Sequence, residues 1–238
     1  MTVGCIIQAR MGSSRLPGKV IMEIDNKPIL EFLFDQLSYV KNLDKLILAT
    51  TSLPEDNILV NLAIKNRWLF FRGSPQNVLE RFYFCTKKFE LDTIIRITAD
   101  NPLIDPSIIE NVLNIFQNNN YDYVSNCQTR TFPFGTEVEI FSKGSLEKCF
   151  SNAKKSSELE HVTPYIYNNP NLFKIYNHKN IQNLSSLRWT VDRINDYNLV
   201  KTITEKITKR PIFMSDILQL FKLEPNLVLL NKDYVLDK

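Results

Sequence analysis

The chain has 238 residues, long enough to bury a sizeable core as one large or two small domains. Its apolar fraction of 44% and charged fraction of 23% are those of an ordinary globular protein. A net charge of only +3 argues against a nucleic-acid-coating protein and fits a small anionic ligand better than a polyanion. No apolar stretch approaches ~20 residues, so no transmembrane helix is expected. The four cysteines lack C-x-x-C or Cys/His ligand spacing, which leaves no zinc site and no secretory disulfide framework. Cys5 and Cys85 sit in apolar patterns as expected buried thiols, and a reducing cytoplasm is the simplest address.

Val3 to Ala9 is an apolar run and predicts a buried strand. It stops abruptly, and a loop from Arg10 to Lys19 follows with two Gly, one Pro, two Ser and three cations. No acidic residue occurs before Glu23, so this strand end carries an uncompensated positive field. Pro28 predicts the start of a helix to about Val40. A second strand is expected over 45–50, a helix over 55–66 and a third strand over 68–71. Gly73-Ser74-Pro75 punctuates the chain before a helix over 76–88. A fourth strand over 92–98 ends at Asp100, and Asp105-Pro106 caps a helix to about Asn118.

Repeated β-loop-α units mean a mainly parallel sheet flanked by helices, an α/β fold. After Asn118 the pattern changes. A short strand is expected over 121–125, an aromatic loop over 128–135, and a half-exposed strand over 136–141 from its alternation of charged and apolar residues. Helices are expected over 143–153 and 158–168, then strands over 172–176 and 187–191, and closing helices over 196–208 and 215–221. The chain reads as a single domain over 1–238, with residues 128–180 inserted on the main sheet as a small α+β region.

Ligands in parallel sheets bind beyond the carboxyl ends of the strands. The loop at 10–19 and Asp100 both belong there. Glycines let backbone N–H groups approach an anion, and Arg10, Arg15 and Lys19 supply charge-assisted bonds to phosphate oxygens. This is neither a P-loop nor a dinucleotide fingerprint. Ala9, Gly12 and Ser13 are further nucleotide-binding candidates there, and Gln8, with Arg72 and Gly73, is a candidate for reading a nucleotide base. Asp100 and Asp192 each end an apolar run, Ile-Arg-Ile-Thr-Ala-Asp and Leu-Arg-Trp-Thr-Val-Asp. Two carboxylates with phosphate oxygens and water suit Mg²⁺; each Asp alone is equally well a helix cap. Arg72, Gly73 and Asn77 suggest a contact to a nucleotide edge, against the simpler reading of a helix start. Arg130, Glu137 and His161 are candidates for an acceptor site, although a lone His is usually structural and an exposed Arg usually solvated.

The run Ile-Ile-Gln-Ala-Arg-Met-Gly-Ser-Ser-Arg-Leu-Pro-Gly-Lys-Val at 6–20 resembles the cytidylyltransferases related to CMP-sialic acid and CMP-Kdo synthetases, in the branch named for spore-coat polysaccharide biosynthesis. Further matches follow in order: Arg-Gly-Ser at 72–74, Arg-Ile-Thr-Ala-Asp at 96–100, Gly-x-x-Val-Glu-x-Phe at 135–141, Glu-His-Val-Thr-Pro-Tyr at 160–165 and Thr-Val-Asp at 190–192. The resemblance covers nearly the whole chain. It implies a Rossmann-like nucleotidyltransferase fold of GT-A-like type, CTP as donor, Mg²⁺ as cofactor and often a homodimer.

Carried over by position, Arg10, Arg15 and Lys19 fall on the triphosphate loop, and Asp100 and Asp192 on the metal ligands. Asn77, Asn101 and Thr136-Glu137 depart from the family's usual residues, the last on the acceptor side. The expected reaction moves CMP from CTP to an oxygen of a small anionic acceptor such as a sugar acid, and releases pyrophosphate. The rivals are a GT-A glycosyltransferase, disfavoured because the chain holds no Asp-x-Asp, and a nucleotide-binding protein that has lost catalysis.

Overall fold

The computed structural model describes residues 1–234; the last four residues of the expected domain lie outside the described residues. In chain order the elements are β1 (Val3–Gln8), β2 (Glu23–Ile24), β3 (Lys27–Pro28), α1 (Ile29–Leu37), β4 (Lys45–Thr51), α2 (Asn57–Lys65), β5 (Leu69–Gly73), α3 (Val78–Lys88), β6 (Thr93–Thr98) and α4 (Pro106–Gln117). They continue with β7 (Tyr123–Ser125), β8 (Glu139–Ser142), α5 (Lys143–Asn152), α6 (Ser156–His161), α7 (Pro164–Tyr167), β9 (Ile175–Asn177), α8 (Ile194–Lys206) and α9 (Met214–Leu223). The main sheet has seven strands in the order β5-β4-β1-β6-β8-β7-β9, and only β8 runs antiparallel to its neighbours.

Alternation along β1 sends Cys5 and Ile7 to one face and Ile6 to the other. The first face packs on Leu30, Leu33 and Leu37 of α1 and on Ile109 and Leu113 of α4. The second packs on Leu79, Phe82 and Cys85 of α3. Covered on both faces, these strands need apolar residues throughout, which is why the sequence shows runs and not alternation. A third cluster joins Trp189 and Val191 to α8 and α9. Cys5 and Cys85 are buried, as expected. Burial pushes the Cys85 thiol up to about 12.

The chain leaves β1 for β4 on one side and reaches β6 on the other, so strand order reverses between β1 and β6. Such a switch opens a crevice at the carboxyl ends of the two strands. Gln8 and Thr98 pair in register at that end.

Three expectations are corrected. The strand over 136–141 is not half-exposed: β8 is a buried interior strand. Its charged residue stays inside because the Glu139 carboxylate accepts bonds from Arg96, the Tyr123 hydroxyl at 2.6 Å and Thr163 Oγ1 at 2.6 Å. The helix over 158–168 breaks at Val162, whose φ of 71° is left-handed, and Pro164 starts α7. Residues 187–191 form no strand; one bridge pairs Phe134 with Arg188. The 128–180 segment supplies β8 and β9 to the main sheet.

Candidate active site

The cationic loop after β1 is held from below by a residue that sequence reasoning misses. Asp56 is fully buried, and its carboxylate accepts the Met11 N–H at 2.7 Å and the Thr51 hydroxyl. The loop closes on itself where the Gly18 and Ser13 N–H groups donate to the Met11 carbonyl at 3.1 and 2.9 Å. Gly18 has a φ of 70°, a conformation that suits glycine. Adjacent parallel strands bring the β1 and β4 loops to one edge, so a carboxylate soon after β4 is the available signal for Asp56.

A cavity of about 250 Å³ opens on this loop. Gln8, Ala9, Arg10, Gly12, Ser13, Arg15 and Lys19 line it, together with Thr98, Asp100 and Asp192. Arg10 and Arg15 are exposed, and Arg10 makes no ion pair among the described residues. Two exposed cations on the cavity wall can give charge-assisted hydrogen bonds to an anion.

Lys19 is the centre of the cluster. Its ammonium donates to Asp100 Oδ2 at 3.0 Å, Asp192 Oδ1 at 2.9 Å and the Val191 carbonyl at 2.7 Å. Burial works to lower its pKa, yet Asp100 and Asp192 outweigh burial and hold it above the ordinary lysine value. Burial likewise works to raise Asp192, and Lys19 and Arg188 outweigh it, so that carboxyl lies below the usual range. Asp192 Oδ2 also accepts from Arg188 at 2.5 Å. Asp100 Oδ1 accepts from the Thr98 hydroxyl at 2.6 Å. Neither aspartate caps a helix by its side chain: Asp196 takes the Asp192 and Arg193 N–H groups at the start of α8. The Val191 N–H donates to the Asp100 carbonyl at 2.8 Å, which stitches the two segments together. Sequence reasoning also misses Arg188, although it stands four residues before Asp192.

A second cavity of about 390 Å³ adjoins the first at the same carboxylates. Arg130, Glu137 and His161 line it with Asn101, Arg188 and Tyr167, and it shares Thr98, Asp100 and Asp192 with the first. Arg130 donates to Glu137 at 2.5 Å and lies 3.9 Å over the Phe134 ring. Gly135 has a φ of 103°, and a Cβ there would meet the Thr190 nitrogen at 2.7 Å. His161 is exposed at the rim.

Arg72, Gly73 and Asn77 stand apart from both cavities. The Arg72 guanidinium is committed to the Thr51 and Leu53 carbonyls and to Asn57. Asn77 caps α3 by accepting the Glu80 N–H at 2.9 Å. A Cβ on Gly73 would crowd Phe71 at 2.9 Å. In this structure their polar groups serve the β5–α3 turn.

Among the described residues no helix is long and apolar enough to cross a membrane. Residues 4–215 match the family model described as cytidylyltransferase. The chain is 32% identical over 231 residues to the spore coat polysaccharide biosynthesis protein SpsF of Bacillus subtilis, covering 93% of this chain and 94% of that protein. It is 30% identical over 121 residues to an 8-amino-3,8-dideoxy-manno-octulosonate cytidylyltransferase of Shewanella, about half of each chain (49% and 48%). The solved structure of a cytidylyltransferase from Leptospira borgpetersenii superposes with a TM-score of 0.92 at 33% identity, covering 96% of this chain and 97% of that one. The chain belongs to the cytidylyltransferase family.

Proposed function

We propose that this cytidylyltransferase moves CMP from CTP to an oxygen of a sugar acid or similar anionic small molecule, for cell-surface polysaccharide, in a Mg²⁺-dependent reaction. One observation carries the reading: Thr98, Asp100 and Asp192 form a wall common to a cationic cavity and a mixed-polarity cavity. A donor phosphate in the first and an acceptor in the second meet across that wall. The Shewanella relative's named substrate supports a sugar acid, and the SpsF name supports the polysaccharide setting.

The acceptor oxygen attacks the α-phosphorus as the bond to the β-phosphate oxygen breaks, and pyrophosphate leaves. Arg10, Arg15 and Lys19 stabilise the charge that develops on the departing group. Asp100 and Asp192 converge on one ammonium within 3.0 Å, so their oxygens already surround a position suited to positive charge. No third His, Cys, Asp or Glu joins them among the described residues. That set fits Mg²⁺, which keeps water and takes substrate phosphates beside one or two carboxylates. When bound, the ion neutralises phosphate charge. The chain itself positions the donor and screens it.

Pyrophosphate release tests the proposal. The protein is mixed with each of the four NTPs, Mg²⁺ and a panel of sugar acids, phosphosugars and polyols. Release with CTP and a sugar acid, abolished by EDTA, is expected. Release with neutral polyols alone, or equally without Mg²⁺, sinks it.

A further inference from the structure

Asn101 is a buried polar side chain that the reaction above does not use. It is 3% exposed, next in sequence to Asp100. Its amide nitrogen donates to Thr98 Oγ1 at 3.1 Å and to Glu137 Oε2 at 3.1 Å. The reversed amide would set an oxygen against the Glu137 carboxylate, acceptor against acceptor, so the chemistry of the partners fixes the orientation. Asn101 Oδ1 is buried with no partner. An apolar filler would avoid that desolvation cost, which points to the two donors as the reason for an amide here.

The bonds run on in both directions. Thr98 donates to the Asp100 carboxylate at 2.6 Å. Glu137 Oε2 also takes the Gly135 N–H at 2.8 Å, and its other oxygen takes Arg130 at 2.5 Å. Asn101 is thus a side-chain link between the shared carboxylate wall and the loop that borders the second cavity, beside the backbone bonds of residues 187–191.

We propose that Asn101 is a positioning residue for the acceptor: its amide ties Glu137, and through it the Gly135 turn and Arg130, to the edge where Asp100 stands. The proposal rests on the reading of the second cavity as the acceptor site. Asn101→Ala raises the acceptor KM about 10-fold or more and leaves the CTP KM within about twofold, because the donor loop keeps all its own bonds. In the double variant with Glu137→Ala the two penalties do not add, since both remove one tie. Asn101→Ser keeps a small polar group that is too short to bridge, and serves if the alanine variant does not fold.

Amide exchange at Gly135 needs no acceptor and reads the same tie. It is about 10-fold faster in Asn101→Ala than in the wild type. An unchanged acceptor KM, equal rises in both KM values, additive penalties or an unchanged Gly135 exchange rate each overturn the proposal. If the wild type releases no pyrophosphate with any acceptor, the proposed reaction fails while the exchange rate still decides the role of Asn101.

Discussion

Asp100 and Asp192, brought together from distant parts of the chain, share a single ammonium: Lys19 lies 3.0 Å from one carboxylate and 2.9 Å from the other. The lysine side chain is only 12% exposed, and the carboxylates are 27% and 24% exposed. One cation thereby keeps two acidic groups side by side at the wall between the cavities. Lys19→Met leaves the two carboxylates to repel each other and removes a charge from the donor loop. Its kcat/KM falls by about 10²–10³, the usual size for losing one preorganised electrostatic contact. Steady-state pyrophosphate assays measure the loss.

Asp56 anchors the cationic loop without lining its cavity. Asp56→Ala removes the acceptor for the half-buried Met11 N–H and for the Thr51 hydroxyl proton, while the Thr51 oxygen keeps the Leu53 N–H. Stability falls by about 2 kcal/mol, and the CTP KM rises because Arg10 and Gly12 lose their fixed backing. Urea unfolding and CTP titration calorimetry read the two effects separately.

Arg72→Ala distinguishes a structural arginine from a base-reading one. The side chain bonds two carbonyls and Asn57, so its loss lowers stability by about 1–3 kcal/mol. Discrimination between CTP and UTP stays within about twofold of wild type in competition assays, since no part of Arg72 lines the donor cavity.

The depressed Asp192 pKa makes an acid-sensitive contribution. A folded-state carboxyl held below its unfolded value of ~3.9 adds stability that is complete above that value and is lost as pH falls through the folded one. Melting temperature therefore drops as pH falls below about 4. Asp192→Asn removes the ionising group and flattens that part of the curve, as calorimetry at pH 3 and 5 would show.

Much of this architecture is legible in the amino-acid sequence. Buried parallel strands announce themselves as apolar runs, which place β1, β4 and β6 and put Lys19 and Asp100 at one edge. Asp192 stands out as the end of an apolar run, although that run is held by the Phe134 bridge and the Asp100 carbonyl and not by a sheet. Local pattern misleads at Glu139, because alternation marks a surface strand only when the polar residues lack buried partners, and Arg96 supplies one. At Arg72 the pattern is ambiguous, because a glycine-containing turn and a bound anion call for similar residues. Asn101 acts through a hydrogen bond to Glu137 that no spacing along the chain reveals, whereas Asp56, soon after β4, and Arg188, four residues before Asp192, leave weaker signals.

We propose that the Asp100–Lys19–Asp192 cluster carries transfer from a donor in one cavity to an acceptor in the other. Asp100→Asn keeps the shape and removes the charge. The decisive measurement is pyrophosphate release from CTP, Mg²⁺ and 8-amino-3,8-dideoxy-manno-octulosonate or 3-deoxy-manno-octulosonate, in wild type and in this variant. Release by the wild type and a fall of about 10² or more in kcat for Asp100→Asn are expected, with the fold intact by circular dichroism. Release that proceeds undiminished in Asp100→Asn contradicts it.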